Sequence, residues 1–178
     1  MDRRRFVKLG SIGAALFAMN NSVFAQKNNS QPSIYGRNAN IKPIMGSWFE
    51  FKHHLDSEGI YWNNTLVKFT DEQWKALVRD ISETGMQYMV LMSVADNGKT
   101  FYPSKLQPQY DYTSANPLEA VLSAADEYGL KFFISNDYWS DFRDVNNMMT
   151  NKEIAVLREK GMEEIAAKYS HHKSFYGW

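Results

Sequence analysis

Glu50, His53, His54, Asp56 and Trp62 fall close together, with Tyr61, Asn63 and Asn64 among them. A second stretch holds Asp96, Asn97, Phe101, Tyr102, Tyr110, Asp111 and Tyr112. A third holds Asn136, Asp137, Tyr138, Trp139, Asp141 and Arg143. Aromatic rings among carboxylates and amides suit a sugar. Flat rings stack on its C–H faces, while Asp, Asn and indole N–H groups hydrogen-bond its hydroxyls. The competing use for any one ring is to pack a loop onto its scaffold. The residues expected to contact such a ligand are Glu50, Trp62, Asp96, Asn136, Asp137 and Trp139. Trp62 is the best stacking candidate in the first stretch. Asn136, Asp137 and Trp139 also read as an Asx turn with a packed tryptophan, and Glu50 as half of a rim salt bridge. Glycoside hydrolysis needs two carboxyl groups roughly 5–10 Å apart. Glu50 with Asp96 or Asp137 is such a pair on paper, although an unusual one.

No metal and no cofactor are expected. Adjacent residues of an extended chain point to opposite sides, which separates His53 from His54. There is no cysteine and no H-E-x-x-H pattern. His171 and His172 fall near the end of a helical pattern, where they complement its dipole.

These stretches lie between elements that must position them. Trp74, Leu77, Val78 and Ile81 recur with helical spacing, behind a capping box of Thr70 and Gln73. Leu118, Val121, Leu122 and Ala125 form a second such face, with Asn116 as cap and Pro117 in first position. Gly85 and Gly129 end these helices. A third helix carries Ile154, Leu157, Ile165 and Tyr169, with Thr150 and Glu153 expected to form its capping box and Gly161 weakening its middle. "IMGSWFEF" precedes the first helix, and "GMQYMVLM", "GLKFFIS" and "SFYGW" each follow one. The order is β-α-β-α-β-α-β, which implies a parallel sheet with right-handed crossovers. Near-continuous apolar strands are expected to be covered on both faces. The αβ turns are minimal. The βα segments, Lys52 to Phe69, Val94 to Ala115 and Asn136 to Met149, are long, and long βα loops are usually functional. Function is therefore expected at the carboxyl ends of the strands. Two α/β architectures fit: the first half, about four strands, of a (β/α)₈ barrel, or a small open parallel sheet.

The chain has 178 residues and zero formal net charge, so it carries no electrostatic footprint for nucleic acid. Without cysteine it has neither disulfides nor a thiol nucleophile. Residues 1–25 read as a signal peptide: Arg3, Arg4, Arg5 and Lys8, a short apolar run, then "VFA" ending at Ala25. "RRRFVK" resembles the twin-arginine export motif, with an ordinary basic signal as the alternative. Cleavage after Ala25 removes four cations against Asp2 and leaves a mature net charge of −3. The expected location is periplasmic or extracellular, with no membrane anchor after cleavage. Residues 26–40 read as a flexible polar leader and residues 41–178 as the partial barrel.

"GSWFEF", "FTDEQW", "FYPS" and "NPLEAVLSAADEYGLKFFISNDYW" resemble a bacterial family of unknown function grouped with glycoside-hydrolase-like TIM barrels. The resemblance runs from about Pro43 to Trp178. It implies a (β/α)₈ barrel and an exported glycoside hydrolase acting on a carbohydrate. A non-catalytic carbohydrate-binding or surface-interaction protein on a degenerate barrel is the alternative. In the larger group the acid/base carboxylate follows strand four and the nucleophile lies near strand seven. Those positions are expected beyond residue 178, so the catalytic residues are unassigned. A half barrel standing alone is expected to self-associate through its open edges.

Overall fold

A computed structural model of the chain describes residues 44–178; the signal-peptide and leader assignments lie outside those residues. The elements are β1 (Gly46–Phe49), α1 (Asp56–Gly59), α2 (Asn63–Leu66), α3 (Asp71–Glu83), β2 (Tyr88–Leu91), β3 (Ala95–Asp96), β4 (Lys99–Thr100), α4 (Pro117–Tyr128), β5 (Lys131–Ile134), α5 (Val145–Thr150), α6 (Lys152–Tyr169) and β6 (Phe175–Gly177). Four strands form one sheet in the order β1-β2-β5-β6, and every pair in it is parallel. The α/β repeat expected from the sequence is therefore present.

Local chemistry sets the helix starts. Thr70 accepts from the Gln73 amide while the Gln73 side chain accepts from the Thr70 amide, a complete capping box. Asn116 Oδ1 accepts from the Glu119 amide at 3.2 Å, and Pro117 follows it. Gly129, at φ 75°, closes α4 in the left-handed conformation. The third helix departs from expectation. Its cap is Asn151, whose Oδ1 accepts from the Glu153 amide at 2.8 Å. Thr150 belongs to the short α5 instead, and its hydroxyl donates to the Asn146 carbonyl at 2.8 Å. Asn151 has the extended backbone a cap requires.

The βα segments hold more structure than loops. Lys52 to Phe69 contains α1 and α2, and the third segment contains α5. In the second, β3 and β4 pair antiparallel around Asn97 (φ 48°) and Gly98 (φ 75°). Asn-Gly with both φ positive is the type I′ hairpin signature.

One face of the sheet builds the core. Phe49, Met89, Leu91, Phe132 and Ile134 are buried together with Trp74, Val78, Leu118 and Leu122 of the helices. The opposite face carries Trp48, Tyr88, Val90, Phe133 and Tyr176, none of them buried. Cover on both faces was expected. Among the described residues only one face has it.

Candidate functional site

The long connections emerge from the carboxyl ends of β1, β2 and β5. At the end of β1 the chain bends sharply after Glu50. Phe51 drops into the core and turns its carbonyl to the Tyr112 hydroxyl, which donates at 2.9 Å. Burial, and secondarily the charge of Asp96, hold the Tyr112 phenol above its usual range, so it remains a donor. Lys52 reaches Asp96 at 2.8 Å. The backbone of His53 is held by the Asn63 side chain. The His53 amide donates to Asn63 Oδ1 at 2.8 Å, and Asn63 Nδ2 donates to the His53 carbonyl at 3.0 Å. A Cβ on Gly59 would collide with that Asn63 amide, so the clasp requires glycine there.

The bend changes where the histidines point. The rings of His53 and His54 lie 4.9 Å apart, centroid to centroid. Ligand atoms of Glu50, His53 and His54 all fall within 4.8 Å of one another. The expectation that adjacent histidines diverge fails because this segment is bent rather than extended. His53 sits between two carboxylates, with Nδ1 2.8 Å from Glu50 and Nε2 3.0 Å from Glu58. Trp62 stands edge-on to His53 at 5.4 Å and is 39% exposed. From the third connection, Tyr138 stacks parallel to His54 at 6.2 Å and Phe142 meets it edge-on at 5.0 Å. Tyr138 has φ 66°, a strained conformation for an aromatic residue.

The residues expected to touch a ligand separate into two groups. Glu50, Trp62 and Asp137 reach the surface. Asp96, Asn136 and Trp139 support the rim from within. Asp96 is 4% exposed, takes Lys52 and the Tyr110 hydroxyl (2.8 Å), and keeps Oδ1 buried without a hydrogen-bond partner among the described residues. Asn136 accepts from the Trp139 indole at 2.8 Å and donates to the Arg158 carbonyl at 2.6 Å. Trp139, at 1% exposure, lies against Gly161 of α6, where a Cβ would collide with its ring. Both faces of a stacking platform are thus not free at Trp139. Phe101 and Tyr102, noted among the loop aromatics, are also buried. Trp139 still borders a cavity of about 730 Å³ with Asn97, Gln107, Ser140 and Arg143. Gln107 Oε1 and Ser140 Oγ there are buried without partners among the described residues.

Sequence reasoning missed Glu58, Asn63 as a clasp, and the convergence of His53 with His54. The hairpin at Asn97-Gly98 was missed as well, although Asn-Gly is its sequence signal; nothing in the spacing signalled the bend at Phe51.

Residues 44–178 match the family described as domain of unknown function, DUF4434. The chain belongs to the DUF4434 family. No curated protein matches it. Among solved structures, this DUF4434 chain is similar to a putative alpha-L-fucosidase from Bacteroides thetaiotaomicron, with TM-score 0.54 and 19% identity over 76% of this chain. It spans 40% of that protein's chain. At this identity the likeness carries the fold alone. Among the described residues of the DUF4434 chain, no helix is long and apolar enough to cross a membrane.

Proposed function

We propose that this DUF4434 protein is an exported carbohydrate-active protein, glycoside-hydrolase-like, whose sheet is the first half of a (β/α)₈ barrel. The observation that carries the reading is Trp62. It is a partly exposed indole set beside the Glu50–His53 pair at the carboxyl edge of a parallel sheet. That edge is where parallel α/β folds bind ligands. An aromatic face next to acceptors and donors is the composition a sugar requires. A separate cavity, bordered by Gln107, Trp139 and Ser140 of the second and third connections, offers further polar groups. The half-barrel reading rests on the bare apolar sheet face, which becomes the packed interior when a barrel closes. It rests also on the 40% share of the fucosidase-like structure. Hydrolysis itself is assigned to carboxylates of later strands, and this segment is assigned part of the substrate cleft. Export follows from the arginine-rich start and the "VFA" sequence.

The test is saccharide binding by calorimetry and hydrolysis of aryl glycosides, alpha-L-fucosides included, by protein recovered from the periplasm. Trp62→Ala should weaken binding at least tenfold and leave the circular dichroism spectrum unchanged. The recovered protein should begin at Gln26. Equal binding by the Trp62→Ala variant rules out the stacking role. Retention in the cytoplasm with Met1 intact rules out export.

A further inference from the structure

We propose that Glu50, His53 and His54 bind one divalent transition-metal ion of the zinc class. The proposal shares Glu50 and His53 with the carbohydrate reading but does not rest on it. Two imidazoles and a carboxylate form a nitrogen-rich donor set, suited to zinc or cobalt rather than to calcium or magnesium, which take oxygen ligands. The spacing fits. Ligand atoms held at about 2.0–2.2 Å from a tetrahedral ion stand roughly 3.4 Å from one another. Here the three donors already lie within 4.8 Å, and Glu50 Oε1 is 2.8 Å from His53 Nδ1. Side-chain rotations on the order of 1 Å close the remainder, leaving a coordination position for water.

The surroundings are those of a supported site. Metal-bound histidines donate their second ring N–H to a carboxylate or carbonyl, which fixes the tautomer. With Nδ1 on the ion, His53 keeps Nε2–H directed at Glu58, 3.0 Å away. Its backbone cannot swing, because Asn63 clasps both its N–H and its C=O. His54 packs against Tyr138 and Phe142, which also meet each other edge-on. All three ligands come from one bend, so ordering that bend also assembles the site.

A second cluster, Glu119, His171 and His172, meets the same spacing. There His172 is likewise set between two carboxylates, Asp126 at 2.8 Å and Glu119 at 3.2 Å, but unlike the half-buried His53 it is closed off from solvent. It serves as the internal control.

The 178-residue protein, stripped with a chelator, is titrated with Zn²⁺ by calorimetry and with Co²⁺ by visible absorption. One ion per chain is expected, at micromolar affinity or tighter. His53→Ala, His54→Ala and Glu50→Gln should each weaken binding at least tenfold. Glu58→Gln should weaken it by about tenfold, as loss of a supporting carboxylate does. His171→Ala should bind as the parent does. If His53→Ala proves unfolded by circular dichroism, His54→Ala and Glu50→Gln decide the matter. Absence of binding overturns the proposal: His53 is then a plain hydrogen-bonded histidine between Glu50 and Glu58. Binding unaffected by the three ligand substitutions, or lost only in His171→Ala, overturns it equally.

Discussion

Gly161 lies in the middle of α6, where glycine costs about 1 kcal/mol against alanine in intrinsic helix propensity. From the sequence it is simply a weak point. The structure gives it a use, because the Trp139 ring occupies the space a Cβ would fill. Two opposing terms then apply to Gly161→Ala, a propensity gain near 1 kcal/mol and an overpacking cost of roughly 1–3 kcal/mol. The ring is buried and hydrogen-bonded to Asn136, so it cannot simply step aside. Packing should win, with net destabilisation of about 1 kcal/mol measured by urea unfolding. Trp139→Phe in the alanine background should cost less than in the parent, a coupling that a double-mutant cycle reads directly. A more stable Gly161→Ala would show that the contact is not tight. The same residues show what sequence leaves illegible at this scale. A packed Trp139 was one of its two readings from sequence, but its partner Gly161 was not legible, because that residue is distant in the chain. Trp62, by contrast, is partly exposed at the start of the short α2.

At the scale of elements, α6 and α4 are joined by a polar clamp. His172 sits between Asp126 (2.8 Å) and Glu119 (3.2 Å), with the His171 ring 4.1 Å and the Tyr169 ring 6.4 Å from its own. Asp126 also accepts from the Ser174 amide at 2.6 Å, just before β6. Burial alone would raise the Asp126 pKa, but the hydrogen bonds from His172 and Ser174 together outweigh it, and the net direction is down. A carboxyl whose folded value is depressed adds stability above its unfolded value, near 3.9, and that stability is lost as the pH falls through the folded value. Asp126→Asn should therefore cost about 1–2 kcal/mol at pH 7, and the gap to the parent should shrink below about pH 4. Thermal melts of both proteins from pH 7 to pH 3 check this, and a constant gap would remove Asp126 from the acid response. His171 and His172 read from sequence as complements to a helix dipole, which catches the place of His172 just past the helix end but not its two carboxylate partners. Helix starts were legible where a cap and its partner are local, as at Thr70 and Asn116. The start at Asn151 was not, because the short α5 claims Thr150 and shifts the boundary by one residue.

For the whole molecule the decisive feature is the sheet face that no helix covers among the described residues. Trp48 is 67% exposed and Tyr176 56%, and Tyr88 and Phe133 lie between them in edge-to-face contact. Parallel sheets are ordinarily buried on both faces, and soluble monomers rarely leave a contiguous apolar patch of this kind open. The strand order β1-β2-β5-β6 also leaves β1 and β6 as edges among the described residues, with backbone groups able to pair with another sheet. The repeating order of the elements was legible because each strand and helix is coded by its own short pattern. Which face stays bare was not legible, since strands meant for a barrel interior and strands packed under helices have the same apolar composition. Whatever closes over this face must bury these rings. Until something does, the 178-residue chain should bind an apolar dye such as ANS and associate with itself as its concentration rises. Replacing Trp48 and Tyr176 together by Lys should abolish dye binding and reduce association. It should cost little stability, because neither side chain belongs to the core beneath the helices. Light scattering across a hundredfold concentration range gives the comparison. A parent chain that stays monomeric and dye-free throughout would mean that this face is already covered, and the half-barrel proposal would have to be abandoned.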